Sequence, residues 1–231
     1  MLNDITKHKN ILIKILKDIY TDVSIGPVLG FKGGTAAYIF YSLPRFSVDL
    51  DFDLIEAEKE DYVFKKIENI AEKYGGIKNK KIKRFTLFFE LSYDEKSRNI
   101  KIEINRRNFG SKYDTSSYLG IPMLVMTKED MFAHKITAMM ERIGKTNRDI
   151  FDVWFFLRND WPVNKEIVEQ RTGMKFKDFL KKCIHSIEKI NDRSLLSGIG
   201  ELIDAKQKSW VKINLKKDII FLLKLYLDAE K

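Results

Sequence analysis

Val48-Asp49-Leu50-Asp51-Phe52-Asp53-Leu54 alternates acidic and apolar residues without a break. Side chains along a strand point to opposite faces in turn, so the three aspartates share one face and Val48, Leu50, Phe52 and Leu54 the other. The apolar face can enter a core. The acidic face concentrates like charge, which a fold tolerates most easily by supplying a cation. Oxygen-seeking Mg²⁺ or Mn²⁺ suits such donors, and Asp49 and Asp51 are the expected ligands. Asp53 reads as a supporting residue or a partner for Arg45.

Working toward the N-terminus, Pro27-Val28-Leu29-Gly30-Phe31-Lys32 predicts a strand over 27–32. It breaks at Gly33-Gly34, and a helix follows from Thr35 to about 41. Glycines at such a junction allow close backbone approach, and a helix N-terminus offers unpaired N–H groups and a positive dipole end. Gly33, Gly34 and Thr35 therefore read as a phosphate cradle, with the Thr35 hydroxyl as an added donor. A cradle beside paired carboxylates fits a metal-bound nucleoside triphosphate, with two ions clamping an in-line displacement. Ahead of this strand, Leu12, Ile15, Leu16 and Ile19 mark an amphipathic helix.

Toward the C-terminus the pattern predicts a charged helix over 58–74, ending at Gly75-Gly76. Strands follow over 82–92 and 99–106, with a short one near 121–126. Ile100, Ile102 and Ile104 alternate with Lys101, Glu103 and Asn105, so Glu103 is a third candidate carboxylate or a charge paired with Lys101. After Thr127, whose Thr127-Lys128-Glu129-Asp130 resembles a capping box, the pattern is helical throughout. The first helix carries Phe132, Ile136, Met139 and Ile143 and stops at Gly144; a second spans 148–158. Further helices are expected over 175–190, 195–205 and 215–229. Asp149 and Asp152 form the only acidic face of the second helix. Buried acids need partners, and Lys135 is the expected one, with Arg148 and Arg142 as competitors. Lys135 could then bind triphosphate oxygens or act as a general acid, with Asp149 orienting it.

The fold class expected is α+β: an N-terminal mixed sheet with flanking helices over 1–126, packed against a helical domain over 127–231 that completes an active-site cleft. The 231 residues carry a net charge of +9, which favours a polyanionic partner, nucleic acid ahead of acidic membrane. Basic residues with nearby aromatics recur at Lys78, Lys80, Lys81, Lys83, Arg84 and Phe85, at Arg106 and Arg107 with Phe109, and around Lys175–Lys182. A single cysteine, Cys183, excludes an intrachain disulfide and suits a reducing cytoplasm. No signal peptide or membrane-spanning run is evident, so a cytoplasmic protein is expected. His134 and His185 lack metal-ligand spacing.

Phe31-Lys32-Gly33-Gly34-Thr35-Ala36-Ala37 with Pro44-Arg45-Phe46-Ser47-Val48-Asp49-Leu50-Asp51-Phe52-Asp53 closely resembles the first motif of the AbiEii/AbiGii toxin family of nucleotidyltransferases, in the polymerase-β-like superfamily. Lys135 in Met131-Phe132-Ala133-His134-Lys135 matches the family's second motif, and Arg148-Asp149-Ile150-Phe151-Asp152 its third. The resemblance runs from about 30 to 158. Two departures stand out: Thr146 replaces a usual arginine, with Lys145 adjacent, and Arg148 stands where lysine is frequent. The resemblance implies NMP transfer from NTP with Mg²⁺ and release of pyrophosphate. It also implies a type IV toxin with a cognate antitoxin encoded nearby, and RNA as acceptor, with the tRNA 3′ end known for relatives. By the same resemblance Arg148 and Asp152 join the nucleotide-binding set. The competing readings are nucleotidylation of a small molecule or protein hydroxyl, and a non-catalytic nucleotide- or RNA-binding module.

Overall fold

The computed structural model describes residues 2–95 and 97–230, which form two units. The first comprises residues up to Ser42, Ser47–Asn108 and Lys112–Met126. Its sheet contains β1 (Leu29–Lys32), β2 (Leu50–Leu54), β3 (Gly76–Lys83), β4 (Thr86–Ser92), β5 (Ile100–Asn105), β6 (Tyr113–Tyr118) and β7 (Ile121–Met126). The order is β3-β4-β5-β2-β1-β7-β6, with β2–β5 and β1–β7 parallel and the other pairs antiparallel. This is a mixed sheet with helices α1 (Leu2–Thr21), α2 (Gly33–Phe40) and α3 (Glu60–Glu72), as the α+β reading requires.

Alternation sorts the sheet into an apolar and a polar face. Phe31, Leu50, Phe52, Leu87, Phe89, Leu91, Ile100, Ile102 and Ile104 are all buried, together with Ile15, Leu16 and Ile19 of α1 and Val63, Ile67 and Ala71 of α3. Ring pairs knit this layer, with centroids 5.3 Å apart for Phe31–Phe52 and 4.6 Å for Phe64–Phe89. Each such side chain contributes about 1.5–3 kcal/mol on full burial, so this layer is what fixes the strand register. The opposite face carries Lys32, Asp51, Asp53, Glu103 and Asn105.

The second unit comprises Leu43–Phe46, Phe109–Ser111 and everything from Thr127. Its helices are α4 (Lys128–Arg142), α5 (Arg148–Arg158), α6 (Lys165–Thr172), α7 (Phe176–Glu188), α8 (Ala205–Trp210) and α9 (Lys216–Ala229). Phe132, Ile136 and Met139 of α4 and Ile150, Phe151, Val153 and Phe156 of α5 are buried, and Trp161 stacks on Phe156 at 4.1 Å. The segment Leu43–Phe46 is pinned here: the Phe46 N–H donates to the Leu202 carbonyl (2.9 Å) and the Gln207 amide to the Pro44 carbonyl (2.5 Å). Cys183 is buried on α7, and burial pushes its thiol pKa up, which leaves it inert.

Several elements differ from the sequence reading. The span 82–92 is two strands joined by a tight turn at Arg84-Phe85, and β3 and β6 were hidden by their polar composition. Thr127 precedes α4 without capping it through its side chain. Residues 195–205 hold turns rather than a helix, whereas α6 takes the 165–172 stretch. The last helix begins earlier than 215, because α8 runs on through a π-helical segment, Val211–Leu215, into α9.

Candidate active site

In the sheet unit, β1 and β2 are antiparallel neighbours, so the turn after β1 returns against the start of β2. Lys32 pairs in register with Asp51, and Asp51 in turn with Glu103 of the parallel strand β5. Register partners share a face, so Asp51 and Glu103 stand side by side on the polar face. Asp49 lies one residue ahead of β2, and its Oδ1 accepts from the Lys101 N–H at 3.3 Å. Helix α2 begins at Gly33, where φ is +76°, and no side chain caps it. Its first N–H groups are therefore available to an anion. A Cβ at Gly33 would stand 2.9 Å from the Asp51 Cβ and Cγ, so glycine is what lets the helix start lie against that carboxylate.

Thr35 does something other than the sequence suggests. It is buried, and its hydroxyl donates to the Asp49 carbonyl, fastening the helix start to the acidic segment. Its backbone N–H remains part of the helix terminus.

The aspartates divide by their partners. Asp53 is buried and receives Lys32 Nζ at 2.5 Å, the Asn105 amide at 2.6 Å and the Tyr113 hydroxyl at 2.7 Å. Burial pushes its pKa up, but the Lys32 charge and these three donors outweigh that and hold the carboxyl below its usual range. Tyr113 reaches it because Gly30 carries no side chain: a Cβ there would fall inside the Tyr113 ring. Asp51 is half-buried, and among the described residues nothing donates a hydrogen bond or ion pair to its carboxylate. The alternative partner suggested for Asp53, Arg45, is engaged elsewhere.

Among the described residues no three His, Cys, Asp or Glu side chains converge as a ready metal cage. The donors nevertheless fit Mg²⁺ or Mn²⁺. Asp49, Asp51 and Glu103 offer only hard oxygens, and Mg²⁺ is commonly held by one or two carboxylates together with substrate phosphates. An unpartnered Asp51 against a glycine helix start meets that description.

In the helical unit, Lys135 Nζ lies 2.9 Å from both Asp149 Oδ1 and Asp152 Oδ2. Arg142 reaches Asp149 at 3.2 Å. Arg45 grips Asp152 through two parallel hydrogen bonds of 2.5 and 2.6 Å, with both side chains fully buried. Burial pushes both acids up, yet Lys135 and Arg142 bring Asp149 below its usual range, and Arg45 and Lys135 do the same for Asp152. Burial likewise pushes Lys135 down, and the two carboxylates more than reverse it. Lys135 is therefore a firmly charged, nearly buried cation on a rigid mount. A cation held in that way is suited to binding an anion electrostatically. Arg148 is half-buried, and its Nε has no hydrogen-bond partner among the described residues, which leaves donor capacity for an anion.

A family model described as the nucleotidyl transferase AbiEii toxin of type IV toxin–antitoxin systems matches residues 14–213. The chain belongs to the AbiEii family. It is a nucleotidyltransferase, and AbiEii membership implies a nucleotide substrate and a cognate antitoxin. Two Helicobacter pylori structures share its fold. JHP933 has 18% identity and a TM-score of 0.58, covering 98% of this chain and 96% of its own. A presumed nucleotidyltransferase has 19% identity and a TM-score of 0.59, covering 98% and 97%. No curated protein matches the chain.

Two pairings within the AbiEii motifs escaped the sequence reading, which offers Arg45 only to Asp53. Lys32, just before the glycines, neutralises Asp53, and Arg45 is the main partner of Asp152. The first was legible in principle, since any antiparallel return of the acidic strand past 29–32 brings Lys32 to that face. The second was not, because no local period links residues 45 and 152.

Proposed function

We propose that this AbiEii chain transfers a nucleoside monophosphate from NTP to an RNA acceptor, the 3′ end of tRNA, with release of pyrophosphate. The observation that carries the reading is the unpartnered Asp51, in register with Glu103 and set against the uncapped glycine start of α2. Backbone N–H groups at Gly33, Gly34 and Thr35 are assigned to triphosphate oxygens. Asp49 and Asp51 would hold Mg²⁺ or Mn²⁺, with Glu103 assisting or accepting the proton of the acceptor hydroxyl. When bound, the ions supply charge neutralisation at the transferred phosphoryl group. In the helical unit, Lys135 and Arg148 are the cations assigned to polyphosphate oxygens, with Asp149 and Asp152 fixing Lys135.

The RNA acceptor is supported by the net charge of +9, and the tRNA end by the motifs shared with the toxin family. A cytoplasmic setting agrees with the single, buried cysteine; no described helix is long and apolar enough to cross a membrane. Incubation with each α-labelled NTP, total RNA, cytosolic metabolites and Mg²⁺ tests the proposal. Label is expected in RNA of tRNA size. Label confined to metabolites or protein would replace the RNA reading with nucleotidylation of those hydroxyls, and no label anywhere would leave only a binding module.

A further inference from the structure

The polar face of the sheet does not end at the carboxylates. Register carries one row from Asp51 through Glu103 and Phe88 to Lys81, and the next from Asp53 through Asn105 and Thr86 to Lys83. Lys81 and Lys83 therefore emerge on the same face as the acids, three strand spacings away, about 14 Å at ~4.8 Å per strand. Lys80, one residue out of phase, points to the other face and is ion-paired with Glu68. Among the described residues no carboxylate meets Lys81, Lys83 or Arg84. The edge strand is thus neutralised on its structural face and left cationic on the face shared with the acids.

The tip of the same hairpin is aromatic. Phe85 is 42% exposed, and the guanidiniums of Arg84 and Arg107 lie 4.8 and 5.1 Å from its ring centroid. Lys83 Nζ sits 3.7 Å from the centroid of Phe88. Arg106 braces the turn, its Nε on Glu60 at 2.6 Å and its Nη1 on the carbonyls of Lys83 and Arg84. Lysines alone would be explained as protection of an exposed sheet edge against pairing with another chain. An exposed phenylalanine that gathers two guanidiniums works against such protection. Planar stacking groups beside unpaired cations are what a single-stranded nucleic acid recognises, bases on the planes and phosphates on the charges.

We propose that the β3–β4 hairpin, through Lys81, Lys83, Arg84 and Phe85, together with Arg107 just after β5, docks the single-stranded 3′-terminal segment of the RNA acceptor and leads it along the polar face toward Asp51. This rests on the RNA-acceptor reading above. The test compares wild type, Lys81→Gln/Lys83→Gln, Phe85→Ala and the opposite-face variant Lys80→Gln. All the positions are exposed, and matching thermal midpoints confirm folding. Binding of a fluorescein-labelled single-stranded RNA oligonucleotide is measured across a salt series, and labelled NMP incorporation into total RNA gives KM for RNA and for NTP.

The double variant should reduce the slope of log K against log salt by about 1.4, from ~0.7 per phosphate contact on a single strand. Phe85→Ala should weaken binding about five- to 150-fold, the range for one stacked base. Both should raise KM for RNA and leave KM for NTP in place, while Lys80→Gln matches wild type. If wild type labels RNA and the hairpin variants keep its slope and KM, the hairpin assignment is overturned and the RNA reading survives. If wild type labels only metabolites or protein, the RNA reading fails and takes the hairpin assignment with it.

Discussion

Replacing Arg45 with methionine keeps an apolar stem of similar length but strips Asp152 of its bidentate partner. The two side chains are 1% and 0% exposed, so water cannot take over the lost hydrogen bonds. Asp152 would keep only Lys135, which lies at the same 2.9 Å from Asp149 and serves both acids. Removing one member of a buried pair costs about 3–5 kcal/mol, because it leaves a desolvated charge behind. The shared Lys135 places this case at the lower end, about 3 kcal/mol. At ~2–4 °C per kcal/mol for a chain of this size, the thermal midpoint at pH 7 should fall roughly 6–12 °C by calorimetry. Arg45→Met/Asp152→Leu removes both charges and should recover much of the loss.

The pH dependence supplies the sign. Asp152 has a depressed folded pKa, so its contribution is complete above the unfolded carboxylate value near ~3.9 and is lost as pH falls through the folded value. Without Arg45 the folded pKa moves up, so the variant loses less on acidification. The gap between wild type and Arg45→Met should hold steady from pH 7 down to about 5 and narrow below about 4. A drop of less than about 2 °C at pH 7, or a gap that widens in acid, would refute the account of this pair.

Asp51→Asn keeps the strand and the side-chain volume, so labelled NMP transfer should fall by about 10²–10³ with the midpoint essentially unmoved; transfer at the wild-type rate would sink the metal assignment. Gly33→Ala must adopt φ +76° and crowd the Asp51 carboxylate, costing about 1–2 kcal/mol and raising KM for NTP; an unchanged KM would remove the cradle from the site. Tyr113→Phe deletes one donor to Asp53, whose folded pKa is depressed. The loss of about 1 kcal/mol should therefore show in urea unfolding at pH 7 and shrink below pH ~4, and equal losses at both would argue against it. Chelation by EDTA should abolish transfer without moving the thermal midpoint, Mg²⁺ or Mn²⁺ restoring it; transfer that persists in EDTA would contradict the ion's role.

The strands legible in the sequence are those whose alternation is driven by burial. Leu50-Asp51-Phe52-Asp53-Leu54 and Ile100 to Asn105 announce themselves because one side must enter the core. Lys78-Asn79-Lys80-Lys81 does not, since β3 is an edge strand and none of its side chains is fully buried. Its strand state is imposed by pairing with β4, which no window over 76–83 contains. Thr127 fails in the other direction: local chemistry offers a cap that the structure leaves unused. Gly33 was read correctly as a junction, and the helix starts two residues earlier than expected because an unsubstituted Cα can already turn there against Asp51.

Strand period alone gives Asp49, Asp51 and Asp53 the same standing. What separates them is the identity of their neighbours across the sheet. Asp53 meets Lys32, Asn105 and Tyr113, a set that satisfies it and fixes it as an anion. Asp49 is tied to the Lys101 backbone, while its own carbonyl is held by Thr35. Asp51 alone of the three is left half-buried, without a donor among the described residues, beside a helix start that only glycine permits. A half-buried carboxylate with no donor, set against an uncapped helix start, has its oxygens open to a ligand. In the helical unit Lys135 shows the converse arrangement, a cation whose charge is secured by two acids. A charge anchored by two acids can hold an anion firmly, whereas the open carboxylate of Asp51 is suited to a cation.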